Sequence, residues 1–310
     1  MRVAVIGGTG FVGEYLVDAL IDAGHSPSLL VRPGSESKVS RIDDCRITAG
    51  SLSDQNSIEE TVRDCDAVIY NVGILRENAR QGTTFENTQY GGVVSVVDAA
   101  VSAGVKRFLL MSANGIHPPQ TAYQETKARA EQHVAQSGLD YTIFRPSVIF
   151  GDPHGKMEIA TQLFQDMIRP PIPAIGFHTG LRPASGAIMM SPVFVKDVAD
   201  AFVRSLDSPA AICKEYAIGG PEEISWTGML ERIARTVGKK KIILPMPIAL
   251  MKLAATVLDW IPAFPVTRDQ LAMLAAGNTA PDYDLRALIG RPPRPFTVET
   301  LAYLRPQKAD

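Results

Sequence analysis

Along the first half of the chain, short apolar runs alternate with stretches in which apolar residues recur every three or four positions. Residues 2–6 form the first β-branched run, and residues 28–31, 45–49, 67–72, 107–111 and 141–144 repeat the pattern. Residues 15–23, 57–63, 92–103 and 122–137 carry the helical period between them. Strands that alternate with helices imply βαβ units, a parallel sheet and right-handed crossovers. The expected fold class is therefore α/β, a doubly wound parallel sheet, with ligands at the carboxyl ends of the strands.

Beyond Gly151 the rhythm changes. Residues 152–190 are rich in Pro, Gly and Met and predict loops and short helices. Strands are expected at 192–195 and 215–218 around a helix at 198–206, and Ser225 is the candidate N-cap of an amphipathic helix at 225–237. The expected organisation is a dinucleotide-binding domain at 1–151, with returning segments near 191–221. Residues 152–190 and 222–304 would form a smaller, interwoven lobe for substrate or partner.

Composition narrows the options. The 310 residues are 45% hydrophobic and 21% charged, as in ordinary globular proteins, with a formal net charge of −2. No basic surplus points to nucleic acid. Cys45, Cys65 and Cys213 form no C-x-x-C pair, and the five histidines lack metal-ligand spacing, so neither a disulfide framework nor a zinc site is expected. Gly7-Gly8 cuts the N-terminal apolar run short for a signal peptide. A soluble cytoplasmic protein is the expectation.

Gly7-Gly8-Thr9-Gly10-Phe11-Val12-Gly13 reads G-x-x-G-x-x-G between an expected strand and an expected helix. A pyrophosphate needs close backbone approach, which side chains would block, and free N–H groups at a helix N-terminus. An NAD site usually places an acid about 20 residues further on, to grip the ribose 2′-hydroxyl. Here Val31-Arg32 stands at that place, with no acid until Glu36. A guanidinium pairs with a 2′-phosphate that a carboxylate would repel, so Arg32 favours NADP(H) over NAD(H). Tyr123 and Lys127 lie four apart on one helix face. A neighbouring lysine lowers a phenol's proton affinity and fits it for acid–base work.

In chain order, these motifs are joined by Gly50-Ser51-Leu52-Ser53-Asp54, Asn71-Val72-Gly73 and Arg145-Pro146-Ser147-Val148-Ile149-Phe150-Gly151. Pro192 to Ala199, Tyr216 to Pro221 and Val266 to Leu271 follow. The series resembles the extended and atypical short-chain dehydrogenase/reductases, which are epimerase/dehydratase-like Rossmann proteins. It is most similar to the subgroup containing the nucleotide-binding accessory subunit of respiratory complex I. The resemblance implies that Gly7, Thr9, Gly10, Phe11, Val12 and Gly13 hold the pyrophosphate and that Arg32 takes the 2′-phosphate. Ser51 and Leu52 would flank adenine, although relatives often carry Asp where Ser51 stands. Val72 and Gly73 would pass the nicotinamide ribose, and Pro146, Ser147 and Val148 would line the nicotinamide pocket. Tyr123 and Lys127 would be the acid–base pair and ribose anchor, with Ser112 assisting.

One departure stands out. Active relatives carry Ser or Thr after the fifth strand to polarise a carbonyl, and here Met111-Ser112-Ala113-Asn114 leaves Ala113 at or beside that slot. Two readings follow. One is an oxidoreductase or epimerase acting on a small, apolar or quinone-related substrate. The other is a non-catalytic NADPH-binding accessory or assembly factor of a membrane quinone enzyme. Residues 242–265, from Ile242 to Pro265, are apolar around Trp260, with Lys252 and Asp259 the only charges. They read either as a core helix closing the lobe or as a peripheral contact with a membrane or membrane protein.

Overall fold

The computed structural model describes residues 1–180, 182, 185–251 and 268–305. The chain divides into two compact units. Unit 1 comprises 1–146, 195–217 and 284–291, and unit 2 comprises 147–194, 218–283 and 292–310. The chain passes repeatedly between the two units, and the first crossing comes after Pro146. A second return at 284–291, which carries little sequence signal, completes unit 1.

Unit 1 is built on β1 (Arg2–Ile6), β2 (Ser26–Val31), β3 (Arg46–Ala49), β4 (Ala67–Tyr70), β5 (Arg107–Met111) and β6 (Asp140–Pro146). Its helices include α1 (Phe11–Asp22), α2 (Gln55–Val62), α3 (Gly92–Ser102) and α4 (Ala122–Gln136). With the later strand β11 (Lys214–Ile218), the seven-stranded order is β11-β6-β5-β4-β1-β2-β3. β1 pairs in parallel with both β2 and β4, and β2–β3, β4–β5 and β5–β6 are parallel too. The order reverses at β1, which is the switch point where a doubly wound sheet opens a ligand crevice. The central strands read as near-continuous apolar runs because helices cover both faces: β4 and β5 are buried throughout.

Caps fix the helix starts. Asp54 accepts from the Asn56 and Ser57 amides to begin α2, and Thr121 accepts from Gln124 to begin α4. Arg107, at the start of β5, is buried and donates to the carbonyls of Asp140, Ser205 and Leu206 and to the Thr142 hydroxyl. It thereby joins β5 to β6 and to the end of α6 (Val195–Leu206), which packs on α1.

In unit 2, the pairs β7 (Ile149–Phe150) with β10 (Val193–Phe194) and β9 (Met189–Met190) with β12 (Ile224–Ser225) are short. β8 (Ala174–His178) pairs in parallel with β13 (Ile243–Pro247). The expected helix begins at Ser225, whose hydroxyl accepts from the Gly228 amide to cap α7 (Trp226–Thr236). The core gathers Phe150, Phe177, Trp226, Leu230 and Phe296. Phe177 is part of this core, whereas Met157 is exposed.

Two expectations are corrected. Residues 152–190 hold a true strand, β8, hidden by its flanking prolines. A helix across 242–265 is not what forms at its start: Ile243–Pro247 is β13. Pro245 and Pro247 lack the N–H groups that a helix interior needs, and an outer strand tolerates that lack. Residues 252–267, including Trp260, Pro265 and Val266, lie outside the described residues.

Candidate functional site at the sheet switch point

The glycine loop follows β1 directly. Gly7 has φ +96°, and a Cβ there would lie 2.7 Å from the Asn71 carbonyl oxygen, so only glycine fits between β1 and β4. A Cβ on Gly13 would lie 2.1 Å from the Gly7 oxygen, which shows how tightly α1 is pressed on the loop. Gly10 donates to Gly7 O at 3.2 Å and occupies the N-cap with no side-chain acceptor. The first N–H groups of α1, from Phe11 and Val12 onward, are thus left for an anion, and the helix dipole favours one there. This cradle fits a dinucleotide pyrophosphate.

Adjoining strand ends carry the next residues. Gly50 N–H donates to the Val31 carbonyl, so Arg32 and Ser51 lie at neighbouring carboxyl ends of β2 and β3. The Arg32 side chain is exposed. Ser51 Oγ is 2.8 Å from Ser53 Oγ, and Leu52 packs on the unit 1 core. Asp54, the nearest acid after β3, is committed to the α2 cap. Val72 packs on that core, and Gly73 is exposed at the end of β4.

α4 brings in the acid–base candidates. Lys127 is buried, and its Nζ donates to the Met111 carbonyl at 3.0 Å. A Cβ on Gly73 would lie 3.7 Å from that same Nζ. Lys127 therefore sits at the ends of β4 and β5, one helical turn from Tyr123. Burial pushes the Lys127 ammonium down to about 8, against the nearby Glu131 carboxylate, which raises it. Removal from water pushes the Tyr123 phenol up to about 12. The Tyr123 ring, only partly covered, meets Phe85 edge-on at 5.8 Å. The phenol thus stays protonated at neutral pH, the form needed to donate a proton.

The sequence reading overlooked a neighbouring ionic cluster. Glu131 is buried four residues after Lys127, and Arg145 grips it with Nε at 2.9 Å and Nη2 at 2.6 Å. His117 Nε2 lies 2.8 Å from the same carboxylate, and Glu215 is 2.7 Å from Arg145. These groups line a 440 Å³ cleft. Burial opposes ionisation of Glu131, but Arg145, His117 and Ser112 outweigh it and hold its carboxyl below the usual range. A visible signal was the spacing of Glu131 on the Lys127 face of the helix.

Ser112 directly follows β5. Its amide donates to the Phe144 carbonyl at 2.7 Å. Its buried hydroxyl has no partner within hydrogen-bond distance; it stands near Glu131, where it favours the carboxylate's charge. In unit 2, Ser147 Oγ donates to the Asn278 carbonyl at 2.6 Å and Ser147 N–H to Ile218 O. The Ser147 side chain is thus engaged inside its own unit. Val148 packs on the unit 2 core, while Pro146 ends β6 in unit 1. Arg291 pairs with Asp197 and Asp200.

A family profile described as NAD(P)H-binding matches residues 7–169, more than half of the chain. The chain belongs to this NAD(P)H-binding family. The ceramide reductase of Caulobacter vibrioides is 25% identical over 245 residues, covering 79% of this chain and 73% of that protein. The NADH-ubiquinone oxidoreductase 40 kDa subunit of Neurospora crassa is 26% identical, covering 82% of this chain and 65% of the subunit. The crystal structure of gox2253 superposes with a TM-score of 0.76 at 22% identity, covering 98% of this chain and 96% of that one. The expected NAD(P)-binding family and doubly wound fold thus hold. Among the described residues, no helix is long and apolar enough to cross a membrane.

Proposed function

We propose that this chain is an NADP(H)-dependent oxidoreductase of the short-chain dehydrogenase/reductase type, acting on a small apolar or quinone-related substrate. The observation that carries this reading is Lys127: a buried ammonium at the switch point, beside Gly73 and one turn from Tyr123. The nicotinamide, when bound, supplies or accepts the hydride. The glycine loop and α1 bind the pyrophosphate, and Arg32 takes the 2′-phosphate. Lys127 orients the ribose and stabilises negative charge developing on the Tyr123 oxygen. Tyr123 delivers the proton to the substrate oxygen in reduction and withdraws one in the reverse direction. Ser112 adds carbonyl polarisation only if its hydroxyl turns away from Glu131.

Titration with NADPH and NADH tests the cofactor part. Arg32→Asp should weaken NADPH by about 10- to 100-fold, the value of a charge-assisted contact, and leave NADH unchanged. Equal loss for both nucleotides would remove Arg32 from the 2′-phosphate. Turnover of apolar carbonyls and quinones, abolished in Tyr123→Phe with NADPH binding intact, tests the chemistry.

A second reading has one observation in its favour. Ala113 follows Ser112 where relatives polarise a carbonyl, and the Ser112 hydroxyl stands against Glu131. On that reading the chain binds NADPH as a structural ligand and serves as an accessory or assembly factor of a membrane quinone enzyme. Tight NADPH binding with no turnover of any carbonyl or quinone would favour it.

A further inference from the structure

Unit 2 carries an exposed aliphatic surface that none of the nucleotide chemistry uses. Ile242, just before β13, and Leu244 on it are 69% and 50% exposed and, two apart along the extended chain, fall on the same side. Ile243 between them turns inward onto the core. Ala174 N–H donates to the Ile242 carbonyl, which brings the approach to β8 alongside. That approach reads Pro170-Pro171-Ile172-Pro173, and Ile172 is 65% exposed. The chain bends at 169–172 before β8 begins, and the prolines on both sides of Ile172 restrict its backbone.

The same surface is positively charged. Lys239, Lys240 and Lys241 precede β13, and between Glu231 and Asp259 the chain contains no acid. Lys239 Nζ donates to the Arg169 carbonyl and Lys241 Nζ to those of Ile168 and Pro170. Those bonds anchor Lys239 and Lys241 beside the approach to Ile172.

We propose that Ile172, Ile242 and Leu244, with Lys239, Lys240 and Lys241, form a docking surface for an anionic lipid bilayer. Aliphatic side chains enter the boundary between headgroups and acyl chains while the ammonium groups meet the anionic headgroups. The strand edge argues against a second copy of the chain joining this sheet. The β8 register turns the hydrogen-bonding groups of Leu244 and Met246 toward β8, so the outward positions fall to Ile243, Pro245 and Pro247. Two of those three have no N–H to offer a new strand.

Flotation of the full chain with vesicles tests the proposal. Vesicles of phosphatidylcholine with 30% phosphatidylglycerol (roughly the charge density of an anionic leaflet) are compared with pure phosphatidylcholine. Binding should favour the anionic vesicles and weaken as salt rises. The double variant Lys239→Gln/Lys240→Gln should weaken it roughly 30-fold, from about 1 kcal/mol per neutralised charge. Ile242→Asp/Leu244→Asp should abolish it, while circular dichroism and NADPH affinity stay unchanged because the residues are exposed. No binding to anionic vesicles, or equal binding to both kinds, overturns the proposal. So does a dimer that Ile242→Asp/Leu244→Asp dissolves in a chain that ignores vesicles.

Discussion

Two glycines of the loop should fail in different ways when given a methyl group. At Gly13 the added carbon would lie 2.1 Å from the Gly7 oxygen and 2.8 Å from two backbone atoms of Gly8. Ordinary contact needs roughly 3.4 Å, so β1 and α1 must separate by about 1.3 Å at their tightest approach. Backbone on both sides cannot swing away as a side chain would. Gly13→Ala should therefore cost about 3 kcal/mol, the upper end for overpacking, and lower the melting temperature by about 6 °C or more. At Gly10 the new carbon meets only the Gly7 oxygen, at 3.4 Å, and the backbone is extended at φ −78°. Gly10→Ala should leave the free protein within about 1 kcal/mol of the wild type, as befits an N-cap change. Yet its methyl group projects where the pyrophosphate must come, so NADPH affinity should fall at least about tenfold. Urea or thermal unfolding, with and without NADPH, followed by fluorescence titration reads both quantities. If Gly10→Ala binds NADPH as the wild type does, the phosphate does not lie on this loop. If Gly13→Ala melts normally, the loop and helix are not pressed together as described.

The remaining expectations concern charge and capping. Lys127 is an ammonium below about pH 8 and neutral above it, so NADPH affinity should decline as pH rises through 8. Glu131 raises that value, so Glu131→Gln should move the midpoint to lower pH; an unmoved midpoint would detach Glu131 from Lys127. Ser225→Ala removes the α7 cap and should cost about 1 kcal/mol in urea unfolding, with NADPH affinity untouched, since the change lies wholly within unit 2.

How far the sequence alone reached depends on the kind of signal. The parallel sheet of unit 1 was legible because buried strands such as residues 67–70 and 107–111 are uniformly apolar and their helices amphipathic. The glycine loop was legible because backbone approach leaves residue identity no freedom. β8 and β13 were not, because the prolines around and within them imitate loops, and such edge strands are held by register rather than composition. The Glu131–Arg145–His117 cluster was hidden for another reason: its members are 14 residues apart along the chain, and only the β5–β6–α4 arrangement brings them together. Ser112 shows the converse. Its position after β5 was read correctly, but position alone cannot reveal that its buried hydroxyl stands near Glu131.

The discontinuity of unit 1 has a consequence for its birth on the ribosome. The first 146 residues contain the glycine loop and six strands, yet α1 packs on α6, and Asp197 of α6 pairs with Arg291. The nucleotide-binding unit therefore waits for its last segment, 145 residues further on (291 − 146). At roughly 5–20 residues per second, that is about 7–29 s of synthesis before unit 1 is complete, of which about 3–12 s pass before α6 can cover the apolar flank of α1. A nascent chain in that state is a client for holding chaperones. A gene fragment ending near residue 150 would likewise yield an adhesive intermediate rather than a portable nucleotide-binding domain.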